Sequence, residues 1–121
     1  MGRDGKENPA RDKSYDFALR IIKLYKYLIE EKKEYVLSKQ ILRSGTSIGA
    51  NVEEAIGGQS RKDFLAKISI AYKETRESHY WLRLLSDSSF LDKEVAQSLL
   101  SDCEELLKIL GSIQKTTKNN L

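Results

Sequence analysis

Residues 37–58 read LSKQILRSGTSIGANVEEAIGG, and this stretch decides the fold. Leu37, Ile41, Ser44, Ile48, Val52 and Ala55 recur at spacings of three and four, which places them on one face of a helix over about Val36 to Ile56. Gly57-Gly58 is a helix stop, because glycine enters the left-handed turn at little steric cost. Gly45 and Gly49 lie inside the helix, where each costs about 1 kcal/mol relative to alanine. Close approach of another helix would offset that cost.

Working outward, Ser14 is placed to cap a first helix that runs to about Lys32. Phe17, Ile21, Leu24 and Leu28 form one stripe of it, and Ala18, Ile22, Tyr25 and Ile29 form the next. Two adjacent stripes make a face broader than a two-stranded coiled coil needs. The charged run Glu30 to Glu34 reads as the connecting turn. Downstream, Ser60-Arg61-Lys62-Asp63 is close to a capping box, with Asp where Glu or Gln is usual. The third helix carries Phe64, Ile68, Ala71, Thr75, Ser78, Leu82 and Leu85 on its stripe, flanked by Tyr72 and Trp81, and Ser86-Asp87-Ser88-Ser89 breaks it. Asp92 opens a fourth helix as N-cap, with Leu91 set to staple onto Ala96 and a stripe of Val95, Leu99, Cys103, Leu106, Leu110 and Ile113. Short connections make neighbours antiparallel. The expectation is an all-α, antiparallel up-down-up-down four-helix bundle over residues 14–115, between a flexible tail (1–13) and a frayed C-terminus (116–121).

Composition agrees. The chain has 121 residues, 40% hydrophobic and 32% charged, with a single proline, Pro9. That suffices for one modest helical core. One cysteine, Cys103, rules out an internal disulfide framework, and no apolar run approaches the roughly 20 residues that span a bilayer. The polar N-terminus lacks the apolar stretch of a signal peptide, so a cytoplasmic location is expected. Net charge is +3, mildly basic and short of the dense patches of dedicated nucleic-acid binders.

Catalytic patterns are missing. A di-iron bundle needs Glu-x-x-His, but Arg76 stands three residues before His79, the only histidine. One Cys and one His on different helices cannot supply a zinc ligand set. No G-x-S-x-G elbow occurs, and His79 lacks an evident partner for nucleophilic catalysis. Cys103 lies on an apolar stripe, as a small buried hydrophobe would. Gly57-Gly58 lacks the Gly-Lys-Ser/Thr ending of a phosphate loop. Arg76-Glu77-Ser78-His79 is too tight for the Arg-to-His spacing of helical toxin ribonucleases. These absences set the expectation of no enzyme, no metal, no cofactor and no small-molecule substrate.

Two surfaces are left to carry a function. On the second helix Gln40, Arg43, Ser47, Asn51 and Glu54 align on one polar edge, while Gly45 and Gly49 form a flat strip on the other. The edge fits a solvated face as well as a helix–helix contact, within the bundle or between subunits. Arg43 and Glu54 are about 16 Å apart along the helix, so neither can be the other's partner there. On the third helix Lys62, Lys73, Arg76 and Arg83 fall within about 80° of one another, with Tyr80 among them. Cations around an aromatic ring can hold phosphates and stack a base. Glu74 and Glu77 lie close enough to neutralise the same stripe, which is the plainer reading. Ile70 and Leu84 also project off the main stripe and add modest support for self-association.

Residues 37–55, 60–74 and 77–85 also carry a family likeness, centred on the Arg-Ser-x-x-Ser-Ile-x-x-Asn-Val-Glu-Glu core from Arg43 to Glu54. Over about residues 14–115 the chain resembles the four-helix-bundle proteins of 23S rRNA intervening sequences, which are labelled ribosomal-protein-like. The resemblance implies a left-handed up-down bundle assembled as a homopentamer. It is also similar to the accessory variability determinant of diversity-generating retroelements, which binds nucleic acid and a reverse transcriptase. Two functions follow from the likeness. One is an oligomeric RNA- or ribosome-associated factor, and the other is a protein-docking adaptor.

Overall fold

The computed structural model describes residues 7–121. Four helices follow in chain order among the described residues: α1 (Pro9–Glu30), α2 (Leu37–Ile56), α3 (Arg61–Asp87) and α4 (Lys93–Asn119). Cross-links between neighbours establish their directions. Ile21 and Ser14 face Gly45 and Gly49, so α1 and α2 run antiparallel. Arg43–Glu77 and Glu54–Lys67 do the same for α2 and α3, as do His79–Glu104 and Ser69–Gln114 for α3 and α4. The result is an all-α, up-down-up-down bundle. Its α1–α4 contact is the sparsest, and polar side chains bridge it: Lys13 reaches Asp102 and Glu105, and Arg20 reaches Asp102 and Ser98.

The expected stripes on α2 and α3 form the core almost residue for residue. Ile41, Ile48, Val52, Ile68, Leu82 and Leu85 are fully buried alongside Phe17, Ile21, Leu28, Leu99, Leu106 and Leu110. Each such aliphatic side chain contributes about 1.5–3 kcal/mol of burial. Two stripes are narrower than expected. Val95 is exposed while Ala96 takes the inward position, and Ile22 on the second stripe of α1 is open to solvent. Ser44 and Ser78 meet inside the core, where one hydroxyl donates to the other at 2.9 Å and satisfies both polar groups at an α2–α3 crossing.

Helix ends differ most from the sequence reading. α1 begins at Pro9, so the expected tail over 1–13 is corrected from that residue on; residues 1–6 lie outside the described residues. Asn8 is the cap, its Oδ1 accepting from the Arg11 N–H at 3.0 Å, and Pro9 at the first helical position loses no hydrogen bond. Ser14 is buried instead of capping, and its hydroxyl donates to the Arg11 carbonyl. Tertiary contacts hold this first stretch: Ala10 enters the core and Lys13 pairs with α4. At the other end α4 runs through Asn119, so residues 116–119 are helical and not frayed. Arg61 at the start of α3 donates to the Asn120 carbonyl there.

The connections have specific chemistry. Glu34 caps α2, its carboxylate accepting from the N–H groups of Val36, Leu37 and Ser38 at 3.2, 3.0 and 2.6 Å. Burial works to raise the Glu34 pKa, but the three donors outweigh it and hold the carboxyl below its usual range. Ser60 caps α3 by accepting from the Asp63 N–H, one half of a capping box. At the end of α3, Ser89 takes φ 68° while the Phe90 N–H reaches the Leu85 carbonyl and the Ser89 N–H reaches Ser86. This is a Schellman turn with serine at the position glycine usually fills. Asp92 is the N-cap of α4 by position, but its side chain makes no capping bond.

Candidate nucleic-acid interface

The glycine strip of α2 is spent inside the chain. A Cβ on Gly45 would lie 2.8 and 2.9 Å from the two γ-carbons of Ile21, and one on Gly49 would lie 3.4 Å from the Ser14 hydroxyl. Both glycines therefore serve the close approach of α1. The polar edge of α2 is also turned toward its own bundle. Arg43 Nη1 pairs with Glu74 at 3.2 Å, and Arg43 Nη2 pairs closely with Glu77. Glu54 pairs with Lys67 at 2.8 Å. Asn51 donates to the Ser47 carbonyl of its own helix, the Ser47 hydroxyl is buried without a hydrogen-bond partner among the described residues, and Gln40 is exposed.

This arrangement changes the electrostatics of α3. Glu74 and Glu77, the carboxylates that could neutralise the basic stripe, are drawn across to α2 by Arg43. Glu77 also accepts from the Trp81 indole N–H at 2.9 Å. That bond first, and the Arg43 guanidinium second, hold the Glu77 pKa down against burial, while Glu77 and Glu74 raise that of Arg43. On the α4 side, Glu104 is engaged by His79 at 3.2 Å. Lys62, Lys73, Arg76 and Arg83 are exposed, and none pairs with a carboxylate among the described residues. Tyr80 stands among them, 49% exposed. The sequence-predicted residues thus separate into two groups. On α2, Arg43, Glu54, Gly45 and Gly49 make intrachain helix contacts while Gln40, Ser47 and Asn51 bond to no other helix among the described residues, and those on α3 lie exposed on one side of the helix.

Other chemistry is sparse. No group of three or more His, Cys, Asp or Glu side chains with metal-binding geometry occurs among the described residues. Burial, with smaller contributions from Asp102 and Glu104, pushes the Cys103 thiol up to about 12. No helix among the described residues is long and apolar enough to cross a membrane. One surface was overlooked in the sequence. Tyr15, Leu19 and Ile22, at spacings of four and three on α1, are all exposed. Their spacing was the available signal, but it merged with the adjoining apolar stripes.

Comparison with known proteins places this geometry in a family. Residues 6–112 match the family described as 23S rRNA-intervening sequence protein, and the chain belongs to it. Among solved structures it is similar to a protein of unknown function from the S23 ribosomal protein family of Bacteroides thetaiotaomicron. The two share 53% identity, the match covers 88% of this chain and 95% of that one, and the TM-score is 0.86. No curated protein matches.

Proposed function

We propose that this member of the 23S rRNA-intervening sequence protein family is a non-enzymatic nucleic-acid-binding protein that lays RNA phosphates along the outer face of α3. The observation that carries this reading is the engagement of Glu74 and Glu77 by Arg43, while Lys62, Lys73, Arg76 and Arg83 stay exposed and outside any ion pair among the described residues. Four such cations release about four counterions per protomer, giving a slope near −3 in log K against log salt on a single strand. Affinity then falls about 50-fold between 50 and 200 mM salt. Fluorescence anisotropy with a labelled rRNA fragment across a salt series tests this. The triple variant Lys73→Glu/Arg76→Glu/Arg83→Glu loses binding, whereas Lys39→Glu on the outer face of α2 does not. Absence of binding by the native protein at low salt would remove the reading.

Self-association into a homopentamer is part of the same proposal, and the exposed Tyr15, Leu19 and Ile22 stripe on α1 supports it. A ring would repeat the basic face and turn weak phosphate contacts into avid ones. Light scattering at micromolar concentration reads a pentamer if this holds; a clean monomer removes the assembly from the proposal. A protein-docking adaptor would use that same α1 stripe. It gains over RNA binding if a partner is captured from nuclease-treated lysate and lost on Leu19→Asp.

A further inference from the structure

We propose that Tyr80 is a base-stacking platform, which gives the α3 face a gain in affinity for single-stranded RNA that a duplex cannot obtain. The inference rests on the phosphate-binding reading above and adds to it a substrate class. A stacking platform needs a ring with an open face, a support that holds the ring in place, and cations at either side to seat the strand.

Tyr80 meets each need. The residue is half exposed. It is braced edge-to-face by Trp81, with centroids 5.1 Å apart and planes at 67°. Trp81 is in turn tied to Glu77 through its indole N–H, and Glu77 is held by Arg43 from α2. A chain of contacts from the neighbouring helix therefore supports the ring before any ligand arrives, which lowers the ordering cost on binding. Arg76 lies one turn before Tyr80 and Arg83 one turn after, at rises of about 6 and 4.5 Å along the axis. A strand laid along α3 meets a cation, the ring and a second cation in succession.

Duplex and single strand differ in what they offer the ring. In a duplex each base face is covered by its neighbour, and a tyrosine on a convex helix reaches only sugar and phosphate. In a single strand a base can turn out and stack, which is how most sequence-tolerant single-strand binders gain affinity. The cations attract both forms, the duplex more per contact because its phosphates are denser, so a gain confined to the single strand falls to Tyr80.

The test uses anisotropy at fixed low salt with three probes: a single-stranded RNA dodecamer, its blunt duplex, and an abasic phosphodiester strand of equal length. Native protein prefers the single strand over the abasic strand, which has the same backbone charge, by about tenfold, the lower part of the range for one stacked base. Tyr80→Ala and Tyr80→Leu each lose about tenfold on the single strand and nothing on the duplex or abasic probe, while Tyr80→Phe retains native affinity. Trp81 is the chain's single tryptophan, so its emission responds to the single strand and not to the abasic one. Equal losses on all three probes, or no loss on the single strand, would overturn the stacking role. If the charge-reversed triple variant still loses every probe in that case, phosphate binding stands and only the role of Tyr80 falls. If native protein binds no probe at all, both readings fall together.

Discussion

Gly45→Ala should destabilise the protein even though it places a better helix former in the middle of α2. The added methyl improves helix propensity by about 1 kcal/mol. Against that, its Cβ would sit 2.8 Å from Ile21 Cγ1, 2.9 Å from Cγ2 and 3.2 Å from Cβ. These atoms surround a β-branched centre with no flexible end to swing aside, and Ile21 is fully buried. Relieving the overlap requires shifting α1 against α2, an overpacking cost of about 1–3 kcal/mol. The net expectation is a loss of about 1 kcal/mol, or about 4 °C in Tm for a domain of this size. Gly49→Ala is the internal control. Its Cβ meets the Ser14 hydroxyl at 3.4 Å and backbone at 3.5 Å, ordinary contact distances, so propensity prevails and stability rises by up to about 1 kcal/mol. Urea unfolding followed by far-UV circular dichroism measures both. A double-mutant cycle with Ile21→Ala, which removes both γ-carbons, should abolish the penalty of Gly45→Ala. Ile21→Val keeps both γ-carbons and should not. A Gly45→Ala protein as stable as Gly49→Ala would refute the close-packing argument.

Three further outcomes are expected. Glu34→Ala removes the carboxylate that accepts three N–H groups at the start of α2, at a cost of about 1 kcal/mol near pH 7. Because folding lowers the Glu34 pKa, this stabilisation is present above the unfolded value of about 4.3 and is lost as pH falls through the folded value. Native and variant unfolding curves should therefore converge in acid, and a gap that stays constant to pH 2 would count against the cap. Ser89→Gly relieves a serine held at φ 68° and should raise stability by about 1 kcal/mol, read as a higher Tm; an unchanged Tm would mean the turn carries no such strain. Cys103 should be inert to a thiol reagent in the native state and react at the rate of unfolding, since it is fully buried and its pKa is pushed up to about 12. Rapid native-state labelling would show that the α4 stripe opens without global unfolding.

Four helices, their order and the inward faces of α2 and α3 follow from spacing alone. Burial acts residue by residue along a helix of fixed pitch, so Ile41, Ile48, Val52, Ile68 and Leu82 could be assigned without knowing what they face. The start of α1 was harder to read. Its signals, Asn8 followed by Pro9, were present, but the charged ARDK that follows carries no apolar period, and contacts with α4 decide that it is ordered. The candidate interface was half legible. The cluster of Lys62, Lys73, Arg76, Tyr80 and Arg83 on one side of α3 follows from 100° per residue. Whether Glu74 and Glu77 cancel that charge depended on a third party, Arg43, which approaches from another helix. The same holds for the stretch that decides the fold. Gly45 and Gly49 look alike in sequence, one turn apart, yet one faces Ile21 and the other Ser14. Pitch is a property of a single helix, whereas the partner at each point of contact is set by how two helices pack.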